Sequence, residues 1–343
     1  MTTTNTGRQH GVRAVRALTA AALTAGLLGF GTTAPAAAST GVTFSRPVDA
    51  ACGTWVLEQI ASAAQLKYKT DEIDAALAVP GVTGFSMRIS WQLLEADPTI
   101  LDKGLALAQA RGKEFSIRFM AGRFTPARVF AAGAYSYVTR DGVRMPQPFS
   151  PTGQAGNPVF EREFQATVEQ LAAWSRAHGV KVLHLPWYGF LWAEIYNDEE
   201  VERQPGYSWN AWLEGHKRLA QIGLDAAGND LAVEFALSGH WGTRRTGAGE
   251  VASMLVGIAG EHSPKLIVQG NGMGRYNSSA TSRPIAHAKQ MYDGFDYDWA
   301  SIYKTLHKNN EQYLEVYTSS FSQPNKAKLA AEAKKFSDTN CRA

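Results

Sequence analysis

The chain has 343 residues, 45% hydrophobic and 19% charged, with 34 basic side chains against 31 acidic ones. That is enough apolar material for one large domain or two small ones. So even a charge balance gives no electrostatic case for nucleic acid or an anionic membrane as partner.

In chain order, the first feature is a leader. Arg8, Arg13 and Arg16 precede a short apolar run from Ala17 to Phe30, and Ala34 to Ser39 (APAAAS) offers small-residue cleavage sites. Residues 1–39 therefore read as a secretory signal, and its apolar core is too short to span a bilayer. The leader holds three arginines and no acid, so its removal leaves 31 basic residues facing 31 acidic ones. The expectation is a secreted, extracellular, monomeric protein with one domain over residues 40–343. The two cysteines, Cys52 and Cys341, stand at the two ends of that domain. In an exported chain such a pair predicts a disulfide clasp.

Short apolar strands then alternate with longer helical stretches. Strands at Thr54–Leu57 and GFSMRIS (Gly84–Ser90) come first. Asp97-Pro98 then predicts a capped helix with Leu101, Leu105 and Ala108 on one face. EFSIRFM (Glu114–Met120) is the next strand, followed by a long Gly-, Pro- and Arg-rich loop from Ala121 to Asn157. Asn157-Pro158 opens a helix with Phe160, Phe164, Val168, Leu171 and Trp174 along one stripe. Further strands are read at Val180–Leu185, Leu231–Leu237, Lys265–Gln269, Ala286–Tyr292 and Tyr313–Thr318, with helices between most of them. Eight near-continuous apolar strands joined by helices predict parallel strands buried on both faces, closed as a (β/α)8 TIM barrel. An open doubly wound sheet is the rival, but GNGMG after Gln269 lacks the phosphate-loop spacing.

Barrels of this kind place their chemistry at the C-terminal ends of the strands. The polar and aromatic residues there include Arg88, Trp91, Arg118, Glu234, Gln269, Asn271, Glu315 and Tyr317. The segment after Leu185 is the densest, with Trp187, Tyr188, Trp192 and the carboxylate Glu194. Aromatic faces stack on sugar rings, and glycosidic cleavage needs carboxyl groups beside the scissile oxygen. Glu315 lies inside the apolar strand YLEVY, where an acid is costly unless it is paired or functional. Glu194 and Glu315 are therefore the expected catalytic pair, with Glu234 in reserve. Arg88, Trp91, Trp187, Tyr188, Trp192, Trp241, Asn271 and Tyr317 are the expected substrate contacts, and Arg88 is the cation expected beside Glu315. Histidine spacing gives no metal motif, so neither a metal nor another cofactor is expected.

PGVTGFSMRISWQLLEAD, followed by a helix and GKEFSIRFMAGRFTPARVF, resembles the opening of the (β/α)8 glycoside hydrolases whose clan includes cellulases, xylanases and β-galactosidases. The likeness is one of pattern. It aligns Arg88 with the clan's strand-two arginine, Trp91 to Glu95 with its W-x-x-L-E turn, and Glu194 with its acid/base after strand four. Two departures stand out. Ala193 replaces the asparagine that usually precedes the acid, and Glu315 falls on strand eight where the clan's nucleophile ends strand seven. The resemblance implies a secreted glycoside hydrolase acting on a polysaccharide or oligosaccharide, with a retaining mechanism. A non-catalytic carbohydrate-binding barrel is the alternative.

Overall fold

The structure is a computed structural model of the full chain. It describes residues 51–189, 195, 199–237, 247–260, 265–271, 286–290, 298–308, 311 and 313–341, with backbone alone for 247–249, 271, 286–290, 305 and 308. Ten strands follow in chain order: β1 (Gly53–Ile60), β2 (Val82–Ser90), β3 (Glu114–Met120), β4 (Ser136–Val138), β5 (Arg144–Pro146), β6 (Val182–His184), β7 (Ala232–Ala236), β8 (Leu266–Asn271), β9 (Ala286–Gln290) and β10 (Tyr313–Tyr317). All but β4 and β5 pair in parallel as one closed barrel, in the order β1-β10-β9-β8-β7-β6-β3-β2. The eight strands read from the sequence are those of the barrel. The weakest of them, β9, is held between β8 and β10.

The helices are α1 (Ala63–Leu77), α2 (Trp91–Ala96), α3 (Ile100–Gln109), α4 (Ala127–Ala131), α5 (Pro158–Ala177), α6 (Glu199–Glu202), α7 (Trp209–Ala227), α8 (Gly247–Ala259), α9 (Trp299–Lys308) and α10 (Lys326–Asn340). Outward strand residues such as Phe85, Met87, Ile117, Leu183, Val233 and Val316 join one large apolar cluster with the buried faces of these helices. Alternate residues form a second, smaller cluster of Trp55, Val182, Ala232, Ile267 and Tyr313, with Ala51. Period-two alternation assigns that set to the barrel interior, toward the N-terminal ends of the strands. Trp55 needs a partner without a side chain, because a Cβ on Gly84 would lie 2.3 Å from its indole.

Two local expectations change. Asp97 ends α2, and its carboxylate accepts from the Thr99 amide at 3.2 Å while α3 begins at Ile100. The Ala121–Asn157 loop is not bare: it carries α4 and the antiparallel β4–β5 hairpin. Asn157 ties that loop down. It caps α5 and donates from Nδ2 to the carbonyls of Tyr135 at 2.8 Å and Gln147 at 3.0 Å. The expected disulfide is present, joining Cys52 to Cys341 across 289 positions with Cα atoms 5.4 Å apart. It secures the end of α10 beside the start of β1.

Candidate active site

One step along the strands from the apolar floor, the inward positions turn polar. Register places Arg118 of β3 beside Arg88 of β2 and His184 of β6, and His184 beside Glu234 of β7. Gln269 on β8 and Glu315 on β10 complete the ring. Glu234, Glu315, Arg118, His184 and Gln269 are each at most 1% exposed.

Arg118 is the hub. Its Nη2 donates to Glu234 Oε1 at 3.2 Å and also to Glu315 Oε2, in a very short contact. Glu315 Oε2 accepts in addition from Gln269 Nε2 at 3.2 Å. His184 stands between the carboxyls, with Nδ1 2.8 Å from Glu234 Oε1 and Nε2 3.4 Å from Glu315 Oε1. Ser116 Oγ lies 3.3 Å from the same Nε2.

Burial drives the electrostatics. It pushes the Glu234 carboxyl up from 4.5 to about 8, and the Arg118 guanidinium only partly opposes it. Burial also lowers His184 from 6.5 to about 3; the charge of Glu315 resists, while Arg118 and Arg88 add to the effect. At neutral pH the site therefore holds a neutral imidazole and a protonated Glu234. Among the described residues, His184, Glu234 and Glu315 are the group of three whose potential ligand atoms all lie within 4.8 Å of one another. The Arg118 guanidinium already sits on both carboxyls and supplies positive charge there, so the donor set fits an ion-paired centre better than a metal centre.

The residues read from sequence scatter when placed. Glu315 is where an acid in a buried strand was expected, but its cation is Arg118. Arg88 instead donates from Nη1 to the Tyr317 hydroxyl at 2.9 Å, its guanidinium 5.6 Å from the Tyr317 ring centroid. Three aromatic expectations are corrected. Trp91 is fully buried among Phe119, Phe160 and Phe164. Trp187 is equally buried against Phe235 and His216, its indole N–H donating to the Ala236 carbonyl at 2.7 Å. Tyr188 packs on Phe160 and donates to Glu161 at 3.1 Å. All three belong to the large apolar cluster between the strands and the helices. Glu194, Trp192 and Trp241 lie outside the described residues, as does the side chain of Asn271. His184 was not expected. Its signal is the one that marked Glu315, a polar residue inside an apolar strand. Because β9 is the seventh barrel strand, Glu315 stands on the eighth, and the departure from the clan's nucleophile position holds.

No family model matches the chain. No curated protein matches it either. Among solved structures it is similar to a D-allulose 3-epimerase from Methylomonas sp., with a TM-score of 0.44 and 13% identity over 84% of this chain and 97% of that one. It is similar to a 3-keto-D-glucoside 4-epimerase from E. coli, with a TM-score of 0.43 and 12% identity over 84% of this chain and 100% of that one. It is also similar to Cel5A from Hypocrea jecorina, with a TM-score of 0.40 and 13% identity over 72% and 75% of the two chains. Overlaps this loose carry no functional argument, and the barrel rests on its own strand pairings.

Proposed function

We propose that this chain is a sugar-processing enzyme, a secreted glycoside hydrolase, whose chemistry centres on Glu315 and Glu234. The observation that carries the reading is the carboxyl pair itself. One oxygen from each lies within 4.8 Å of the other. An upper bound of that size lies below the gap of roughly 6.5–9.5 Å that inversion needs, and it favours retention. Glu315 is the better seat for a negative charge, since its Oε2 accepts from both Arg118 and Gln269. Glu234 is the better acid, because burial keeps it protonated at neutral pH.

In this reading Glu234 gives its proton to the glycosidic oxygen as that bond breaks, and Glu315 attacks the anomeric carbon. Glu234 then takes a proton from the water that releases the sugar. Glu194 keeps the place that the sequence resemblance gives it, ten residues beyond the end of β6, and competes with Glu234 for the acid role. The test is activity on a panel of polysaccharides and aryl glycosides, with Glu315→Gln, Glu234→Gln and Glu194→Gln alongside wild type. Loss of turnover in Glu315→Gln and Glu234→Gln, with retained anomeric configuration in the wild-type product, is the expected result. Loss in Glu194→Gln with activity kept in Glu234→Gln would move the acid to Glu194. Sugar binding without turnover by wild type would identify a binding barrel.

A further inference from the structure

Among the described residues, every lysine or arginine withdrawn from full exposure is engaged by a neighbour, with one exception. Lys69 pairs with Glu58 and Lys181 with Glu114, while Lys113 donates to the Val82 carbonyl. Arg118 holds the two ring carboxyls, Arg88 donates to Tyr317, and Lys265 is engaged as well. The exception is Arg123. It is partly buried, yet among the described residues it makes no hydrogen bond, ion pair or ring contact. A guanidinium that has given up part of its hydration without gaining an acceptor is a ready seat for an anion.

Its place in the fold says what that anion belongs to. Arg123 is the middle residue of a 3-10 turn, Gly122–Phe124, that follows β3 directly. It therefore stands at the C-terminal mouth of the barrel, where the carboxyl ring opens. The turn is closed by two hydrogen bonds. The Phe124 amide donates to the Ala121 carbonyl at 2.9 Å and the Thr125 amide to the Gly122 carbonyl at 3.1 Å. Gly122 has φ +58°, and a Cβ there would collide with the carbonyl of Gly189, beyond the end of β6. The backbone under Arg123 is thus clamped between two connections of the mouth, which is the rigid support a binding group needs.

Height separates this residue from the chemistry. From Arg118 to Met120 the strand already climbs roughly 6–7 Å, and the turn begins beyond that. We propose that Arg123 is a specificity-determining residue that takes an anionic substituent of the sugar chain, a carboxylate or a sulfate ester, above the carboxyl pair. The substrate class is then acidic polysaccharide, a conclusion that rests on the reading of Glu315 and Glu234 given above; the anion site itself does not. A guanidinium fork suits either group, since both present several oxygens to paired N–H donors. A contact this far from the anomeric carbon is the same before and during bond cleavage, so it acts on KM and leaves kcat alone.

The test sets a panel of acidic polysaccharides against their carboxyl-reduced or desulfated forms, on the full chain, by titration calorimetry and by turnover. Wild type should bind at least one acidic member about 10–100-fold more tightly than its neutralised form, as hydrogen bonds to a charged group do. Which treatment lowers the affinity tells carboxylate from sulfate. Arg123→Gln should erase that ratio and raise KM by the same factor, with kcat and melting temperature unmoved. Arg123→Lys should restore part of the ratio, because it keeps the charge and loses the fork. A wild type indifferent to neutralisation would overturn the proposal, as would an Arg123→Gln that weakens both forms equally. Binding and turnover separate the two claims. An acidic chain held through Arg123 by a protein that cleaves nothing keeps the anion site and sinks the glycosidase reading. Cleavage of neutral chains alone, unchanged in Arg123→Gln, does the reverse.

Discussion

The two layers of side chains inside the barrel belong to the same strands, one inward step apart, yet obey different energetics. The floor of Trp55, Val182, Ala232, Ile267 and Tyr313 is apolar. Its stabilisation grows with buried area, so trimming one side chain removes a fraction of it. The ring above it, Arg118, His184, Glu234, Gln269 and Glu315, is just as buried. There each group is tolerable only because its neighbours answer it, so a single loss exposes the full desolvation cost of what remains. The floor fails by degrees, and the ring fails as a unit.

The largest break should come from Glu234→Gln, which keeps the shape and removes the proton. Turnover of a cleaved glycoside should fall about 10²–10⁴-fold, the usual worth of a general acid. Unchanged turnover in steady-state kinetics would remove Glu234 from the mechanism. Next in size is Arg118→Leu, which strands two carboxyls in the interior. It should cost about 3–5 kcal/mol in urea unfolding, and the double variant with Glu315→Gln should cost less than the single one. Equal losses would mean that Arg118 acts by packing alone.

The pH dependence of stability sharpens the contrast. Glu234 is raised from 4.5 to about 8, so the folded state keeps a proton that the unfolded chain loses in that window. Its contribution is complete below 4.5 and is lost as pH rises toward 8. His184 and His216 are each lowered from 6.5 to about 3. The unfolded chain binds protons there that the folded state refuses, so their contribution is lost as pH falls from 6.5 toward 3. The three together place the maximum near pH 6.5, with a decline above it of about 1 kcal/mol per pH unit from one proton. Thermal melts of wild type and Glu234→Gln check this, since the variant should lack the alkaline decline. The smallest effect belongs to the floor. Ile267→Val should cost about 0.5–1.5 kcal/mol and leave the pH profile unmoved.

How much of this the sequence disclosed depends on what each residue type can signal. Parallel strands buried on both faces give continuous apolar runs, which is why all eight barrel strands could be placed. The run AHAKQ was the faintest, because β9 is secured by the strands beside it more than by its own apolar content. Glu315 was legible because an acid amid Tyr313, Leu314 and Val316 has few bland explanations. Trp187 misled, because a tryptophan after a strand end looks alike on either side of the sheet. Alternation held the answer: counting in twos from Leu183 and Leu185 puts Trp187 with the outward set. The same count on EFSIRFM puts Phe115, Ile117 and Phe119 outside with Ser116 and Arg118 inside. Which inward arginine would meet Glu315 was not legible, since that pairing spans 197 positions and is set by barrel closure.

The bond between Cys52 and Cys341 lies at the start of β1, the end of the barrel away from the polar ring. It makes the described domain a covalent loop. A single proteolytic cut in any surface connection would leave one molecule with both fragments tethered, and the cut ends would become the new termini of an intact barrel. Damage from outside would thus first open a loop and leave the sheet closed. Until the sulfurs are reduced, the protein can be nicked without being divided.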